Sequence, residues 1–160
     1  LKKVTVALIC VFACIFFAYL LAEEFTYVGA AKCKICHRTD SQGKQHPIWE
    51  ESFHSKSFQG LDKEAAKAIA ADAPENPECL ECHAPLAAKA PELKEEGVNC
   101  EVCHGPGSDY KTLSIMKNRE ESVTKGLVIY KSEKDIKKHC LTCHENPLDI
   151  PFDFAAAWEN

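Results

Sequence analysis

Residues 139–144 read HCLTCH, two histidines enclosing a Cys-x-x-Cys pair. The last five of these letters, Cys140 to His144, recur three times upstream: CKICH at 33–37, CLECH at 79–83 and CEVCH at 100–104. Each is a Cys-x-x-Cys-His, the attachment pattern of c-type haem. The spacing has a geometric reason. Two thiols three positions apart on one helical turn reach the two vinyl groups of one haem edge. The adjacent histidine then turns beneath the macrocycle and offers an axial nitrogen to the iron. Composition alone would yield roughly 0.03 such motifs in 160 residues, against four present. Paired Cys-x-x-Cys units can also hold zinc, and exported cysteines can pair as disulfides. Neither accounts for a histidine directly after every pair. The reading is four covalently bound haem c groups. Their thioether cysteines are Cys33, Cys36, Cys79, Cys82, Cys100, Cys103, Cys140 and Cys143, and their proximal histidines are His37, His83, His104 and His144.

Counting outward from HCLTCH sharpens the role of its first letter. The sequence holds seven histidines, and four belong to the motifs. His46, His54 and His139 remain as distal candidates for four irons. His139 is expected to ligate a haem other than the one bound by its sequence neighbours. Within these residues at most three haems can be bis-histidine, so one is expected to lack a histidine on its sixth side. The weak candidates for that place are Met116, the one methionine, and Tyr110. A lysine, a water or an open position are the other choices.

Four haems over about 138 residues leave roughly 35 residues for each. The apolar side chains are scattered and no segment promises a large core, so the cofactors themselves are expected to supply much of it, in near contact. The net charge is −5, and from residue 23 onward it is −7, with 24 acidic side chains against 17 basic ones. That balance argues against nucleic acid and anionic membrane surfaces, and suits a redox protein partner with a basic docking patch. At the N-terminus two lysines precede about eighteen apolar residues, 4–21. Residues 1–22 therefore read as a signal peptide or a retained membrane anchor, and 23–160 as the tetrahaem cytochrome c domain. Both choices place the domain outside the cytoplasm, in the periplasm or tethered to the membrane. Cys10 and Cys14 in the apolar run read as small apolar fillers.

Local signals are modest. Residues 23–36 read as an extended lead-in, and 47–58 as a helix with Pro47 in its first turn. Residues 61–73 read as an alanine-rich helix capped by Asp62. Residues 85–97 are expected to be partly helical, with Pro91 opening a turn and Gly97 closing it. GLVIYK at 126–131 is the one strand-like run, Gly105-Pro106-Gly107 marks a turn, and the tail ends in a short helix.

Taken in order, YVGAAKCKICH, WEESFHSKSF, GVNCEVCHGPGSDY, HCLTCHENP and the following FDF resemble the tetrahaem cytochrome c-554/c-prime family over residues 27–158. The resemblance implies a mainly α fold: a small haem-packed multihaem cytochrome c domain with short helices, long loops and little or no β structure. It implies stacked and perpendicular haem pairs, with His54 and His139 as distal ligands to haems remote from them in sequence. It also implies electron shuttling between exported redox enzymes and their acceptors, and one five-coordinate haem. Relatives often run past the FDF segment to a histidine near a proline, or carry histidine at the position of Tyr110. The sequence here closes on Trp158-Glu159-Asn160, so the absent fourth distal ligand is expected at one of those two places.

The leading functional reading is an electron carrier without a substrate of its own, its bis-histidine haems lying at low potential. The alternative is a haem-dependent oxidoreductase or sensor acting on nitric oxide, nitrite or hydroxylamine at the open haem. A haem filament and a photosynthetic reaction-centre subunit fit less well, the latter because that role uses several axial methionines.

Overall fold

Prolines and glycines divide this chain into short segments, and none of the resulting helices exceeds twelve residues among the described residues. The computed structural model describes residues 25–145 and 150–159; the apolar N-terminal run, read above as signal or anchor, lies outside them. Helices α1 (Ala30–Lys34), α2 (Gln45–Glu51), α3 (Glu64–Ile69), α4 (Pro77–His83) and α5 (Cys100–His104) come first. They are followed by α6 (Leu113–Met116), α7 (Arg119–Thr124), α8 (Glu133–His144) and α9 (Phe154–Glu159). Short 3-10 turns at Asp40–Gln42, His54–Lys56, Gln59–Asp62 and Pro91–Glu96 link them, and no strand forms among the described residues. The mainly α class with long connections is therefore what the chain adopts. Among the described residues no helix is long and apolar enough to cross a membrane.

The helices that carry the last three motifs start from side-chain caps. Asn76 accepts from the Glu78 amide, Asn99 from the Glu101 amide and Ser132 from the Asp135 amide. Each cap satisfies an amide that the first turn leaves unpaired. In α8, the longest helix, Glu133 and Asp135 sit in the first turn and His144 in the last, the order the helix dipole favours.

Several local expectations are corrected. The segment around Trp49 becomes helical at Gln45, two residues before Pro47, and ends at Glu51; His54–Lys56 follows as a separate 3-10 turn. Asp62 does not cap α3. It closes the 3-10 turn Gln59–Asp62, and Lys63 takes the cap position without a side-chain bond. The lead-in carries no regular structure through Gly29, after which α1 begins. GLVIYK is not part of a sheet: Val128 donates its amide to the His104 carbonyl, so the run lies along the third motif instead of pairing in a ladder. The Pro91–Gly97 turn and the helical tail form as the sequence reading has them.

The protein core is small. Phe58, Leu61, Ala73 and Ala84 form its centre, with Ala66, Ala70, Cys79, Leu80 and Ala87 packed around them. Alanines bury little area, so this cluster stabilises far less than a core of the same residue count built from leucine. Meanwhile Phe53 is 94% exposed, and Ile35, Ile48 and Leu113 are also open. Large apolar side chains left outward around a small core are what a chain folding about bulky apolar cofactors is expected to show.

Candidate functional site

All four Cys-x-x-Cys-His motifs end a helical turn. The second and third close α4 and α5, and the fourth closes α8. In the first, Cys33 belongs to α1, and its carbonyl accepts from both the Cys36 amide (3.2 Å) and the His37 amide (3.0 Å), which carries the turn through the motif. Helical winding sets each cysteine pair on one side of its turn, as two bonds to one haem edge require.

The candidate proximal histidines share a second arrangement. His37 Nδ1 lies 3.2 Å from Gln45 Oε1, His83 Nδ1 lies 3.1 Å from the Ser57 carbonyl and His104 Nδ1 lies 3.2 Å from the Val128 carbonyl. An oxygen acceptor at Nδ1 requires that nitrogen to carry the proton. The lone pair is then on Nε2, the tautomer and ring orientation used by metal-bound histidines. His144 is held differently, by Phe152 stacked on its face at 4.1 Å and 14°. These residues fit covalently bound haem c with histidine below the iron.

Cysteines of different motifs are neighbours. The Cys33 thiol is in hydrogen-bond contact with that of Cys100, and this bond, then burial, pushes it up. Burial followed by the neighbouring Cys143 raises the Cys82 thiol to about 11. Burial also raises Cys103 to about 11, with Cys140 as the next contributor. The fold thus sets the first motif against the third, the second against the fourth, and the third beside the fourth. The eight motif cysteines form no disulfide with one another. Among the described residues no group of three or more His, Cys, Asp or Glu side chains is arranged to hold a metal ion of its own.

The three distal candidates lie in different surroundings. His54 faces His144, with ring centroids 6.1 Å apart and an interplanar angle of 50°. Two imidazoles bonded to one metal at about 2.0–2.1 Å would have centroids about 6 Å apart. The surroundings of the His54 ring lower its pKa by burial, and His144 lowers it further; burial alone lowers His144. Both therefore favour the neutral, ligating form. His139 packs on Tyr130 at 5.4 Å, and the Tyr130 hydroxyl donates to the Cys103 carbonyl, which ties His139 to the third motif. His46 is buried, with Trp49 edge-on at 5.3 Å. Its Nδ1 lies 3.3 Å from Glu50 Oε2, yet off the angle a hydrogen bond needs. Its amide donates to the His37 carbonyl, so this histidine is anchored to the first motif.

Of the weak sixth-ligand candidates, Tyr110 is buried and its hydroxyl donates to the Gly105 carbonyl at 2.8 Å. Burial pushes that phenol up, and its oxygen is engaged within the turn after the third motif. Met116 is half-buried at the end of α6, which packs on α7.

Sequence reasoning missed a group of residues that join the motifs. Glu101, inside the third Cys-x-x-Cys, is 1% exposed. Its carboxylate accepts from the amides of Val28, Gly29 and Gly107. Glu96 Oε2 accepts from the Ala30 amide and from Asn99 Nδ2. The intervening positions of a Cys-x-x-Cys-His are unconstrained by haem attachment, so no pattern in the sequence distinguishes Glu101. Ser57 and Phe152 likewise carry no motif.

The family model for cytochrome c554 and c-prime matches residues 32–105. Among curated proteins, cytochrome c-554 of Nitrosomonas europaea is 25% identical over 158 aligned residues, covering 86% of this chain and 65% of that one. The chain thus spans just under two thirds of the length of that relative. No solved structure matches.

Proposed function

We propose that the chain is a member of the cytochrome c554 and c-prime family and, from that premise, an extracytoplasmic tetrahaem electron carrier. Membership makes it a c-type cytochrome with covalently bound haem. The count of four, their ligation and the carrier role are this reading's own. The observation that carries it is the shared setting of His37, His83 and His104. Each ends a Cys-x-x-Cys turn with Nδ1 on an oxygen, leaving Nε2 for an iron. The contacts of Cys33 with Cys100 and of Cys82 with Cys143 support closely spaced cofactors, between which an electron can hop. His54 is read as the sixth ligand of the haem held by His144, and His46 and His139 as distal ligands of two others. Redox proteins are the partners, and residues 23–160 form the haem domain. Residues 1–22 serve as signal or anchor.

Mass spectrometry of the protein exported by a host with haem-attachment machinery tests the count: four haem additions resistant to denaturation are expected. Fewer than four would overturn it.

A second reading rests on one observation. Within these residues seven histidines stand against eight axial positions, so one haem accessible to nitric oxide, nitrite or hydroxylamine would make the protein a small-molecule oxidoreductase or sensor. EPR of the oxidised protein with and without nitric oxide or cyanide separates the two. A high-spin signal from one haem in four, abolished by ligand, is required by the second reading. Turnover of nitric oxide with a reductant would establish it over the carrier.

A further inference from the structure

Glu101 is a charged side chain among the most deeply buried groups of the described residues, and among those residues no lysine or arginine forms an ion pair with it. Its oxygens face amides. Oε1 accepts from Gly107 (2.6 Å) and Val28 (3.1 Å), and Oε2 accepts from Gly29 (2.7 Å) and Val28 (2.9 Å). Every group facing the two oxygens is a donor, so both act as acceptors, which is the ionised carboxylate. Hydrogen bonds satisfy such a group but do not cancel its charge, and an uncompensated buried charge is costly. A positive charge nearby would offset that cost.

The residues on either side indicate where that charge arises. Glu101 directly follows Cys100, and its field reaches both Cys33 and Cys100, whose thiols influence each other. Val28 and Gly29, which hold its carboxylate, lead into α1 and Cys33. The carboxylate is therefore shared by the first and third attachment motifs. Cys82 of the second motif meets Cys143 of the fourth instead. The iron–porphyrin core of a haem carries one net positive charge when ferric and none when ferrous, its propionates aside. One electron from a redox partner converts the first to the second.

We propose that Glu101 is a potential-setting residue: its fixed negative charge stabilises the ferric state of the haems at Cys33–His37 and Cys100–His104 and lowers their reduction potentials relative to the other two. The proposal rests on the haem reading given above. Glu96, held 2.9 Å from the Ala30 amide and half-buried, adds to the same field, acting less than Glu101 on Cys33 and more on Cys100. Burial strengthens the effect of Glu101, since electrostatic interaction grows as the local dielectric falls.

The test is a potentiometric titration, followed by visible absorbance and EPR, of the full haem-loaded protein and its variants. Haem stoichiometry is measured first by mass; wild-type protein without covalent haem would sink the parent reading, before any potential is measured. With haem present, Glu101→Gln is expected to raise two of the four potentials and to move the other two less. Glu101→Asp alters the hydrogen bonds but keeps the charge, and should leave all four near wild-type values. Unmoved potentials in Glu101→Gln, or an equal shift in Glu101→Asp, would overturn the proposal, the latter by assigning the effect to hydrogen-bond geometry. Should Glu101→Gln fail to fold, Glu96→Gln carries the test: a rise in the same pair is expected, and no rise overturns it.

Discussion

The imidazoles of His54 and His144 stand 6.1 Å apart between centroids, although one lies in a 3-10 turn early in the chain and the other ends α8. Contact between segments so distant in sequence costs loop-closure entropy, and two small rings in tilted contact recover little of it. An iron bonded to both would recover far more, because ligand binding to the folded state adds its free energy to stability. The Phe152 ring on the other contact of His144 limits how far that imidazole can turn.

His54→Ala should therefore open one haem. The expected result is a new high-spin ferric signal equal to one haem in four, with added cyanide returning it to low spin. His54→Met should keep low spin but raise the potential of one haem, since a Met/His pair favours the ferrous state relative to two imidazoles. A spectrum identical to wild type in both variants would show that another group ligates the iron held by His144.

The same two rings give the protein an acid limit. Burial lowers the pKa of both His54 and His144, with His144 adding to the shift at His54. Below the ordinary imidazole value of about 6.5 the unfolded chain then binds more protons than the folded one. Stability is full above that pH and is lost as pH falls from there toward the lower folded-state values. The thermal midpoint should be flat above about pH 7 and decline below about 6.5, with loss of low-spin absorbance alongside. A midpoint unchanged down to about pH 5 would contradict this.

Trp49→Phe tests how the His46 helix is held. Trp49 Nε1 donates to the Val98 carbonyl at 2.8 Å, joining α2 to the residues just before the third motif, while its ring packs edge-on against His46. Phenylalanine keeps most of the apolar area and removes the donor. The expected loss is about 1–2 kcal/mol in denaturant unfolding, from the bond and the carbonyl left without it. A loss below about 0.5 kcal/mol would mean that water replaces the indole at no cost.

The candidate motifs were legible in the sequence because haem attachment, where it occurs, fixes residue type and spacing together. Five letters repeated four times leave little room for another reading, and the short-helix architecture follows from them. What was hidden depends on contacts made across the chain. GLVIYK has strand composition, but the run instead brings the Val128 carbonyl to His104 Nδ1 and its amide to the His104 carbonyl. Asp62 has the right chemistry for a cap and stands one residue too early, since Lys63 adopts the extended backbone that starts α3. Glu101 looks like a solvated charge because nothing near it in sequence shows that Val28 and Gly29 come back to meet it. The pairing of His54 with His144 was hidden for the same reason: sequence gives the number of spare ligands, while their assignment is set by tertiary contacts.

Gly97 shows how one backbone position couples two candidate haem centres. Its φ of +64° and ψ of −130° lie in a region that side chains rarely adopt. A Cβ there would lie 2.5 Å from Ser57 Oγ and 2.7 Å from the His54 carbonyl. The second of these is backbone, so the turn His54–Lys56 would have to move. Ser57 is the residue whose carbonyl faces His83 Nδ1 and whose hydroxyl lies 2.8 Å from the His83 carbonyl. Displacing the turn therefore disturbs the proximal side of the second motif and the distal side of the fourth at once. Gly97→Ala should cost roughly 1–3 kcal/mol in unfolding free energy, from backbone strain before any steric term. It should also change the spectra of two haems, those held by His83 and His144, and leave the other two near wild type. A purely local strain would lower stability without touching either spectrum, so redox-resolved EPR of the variant decides between local strain and coupling through the Ser57 turn.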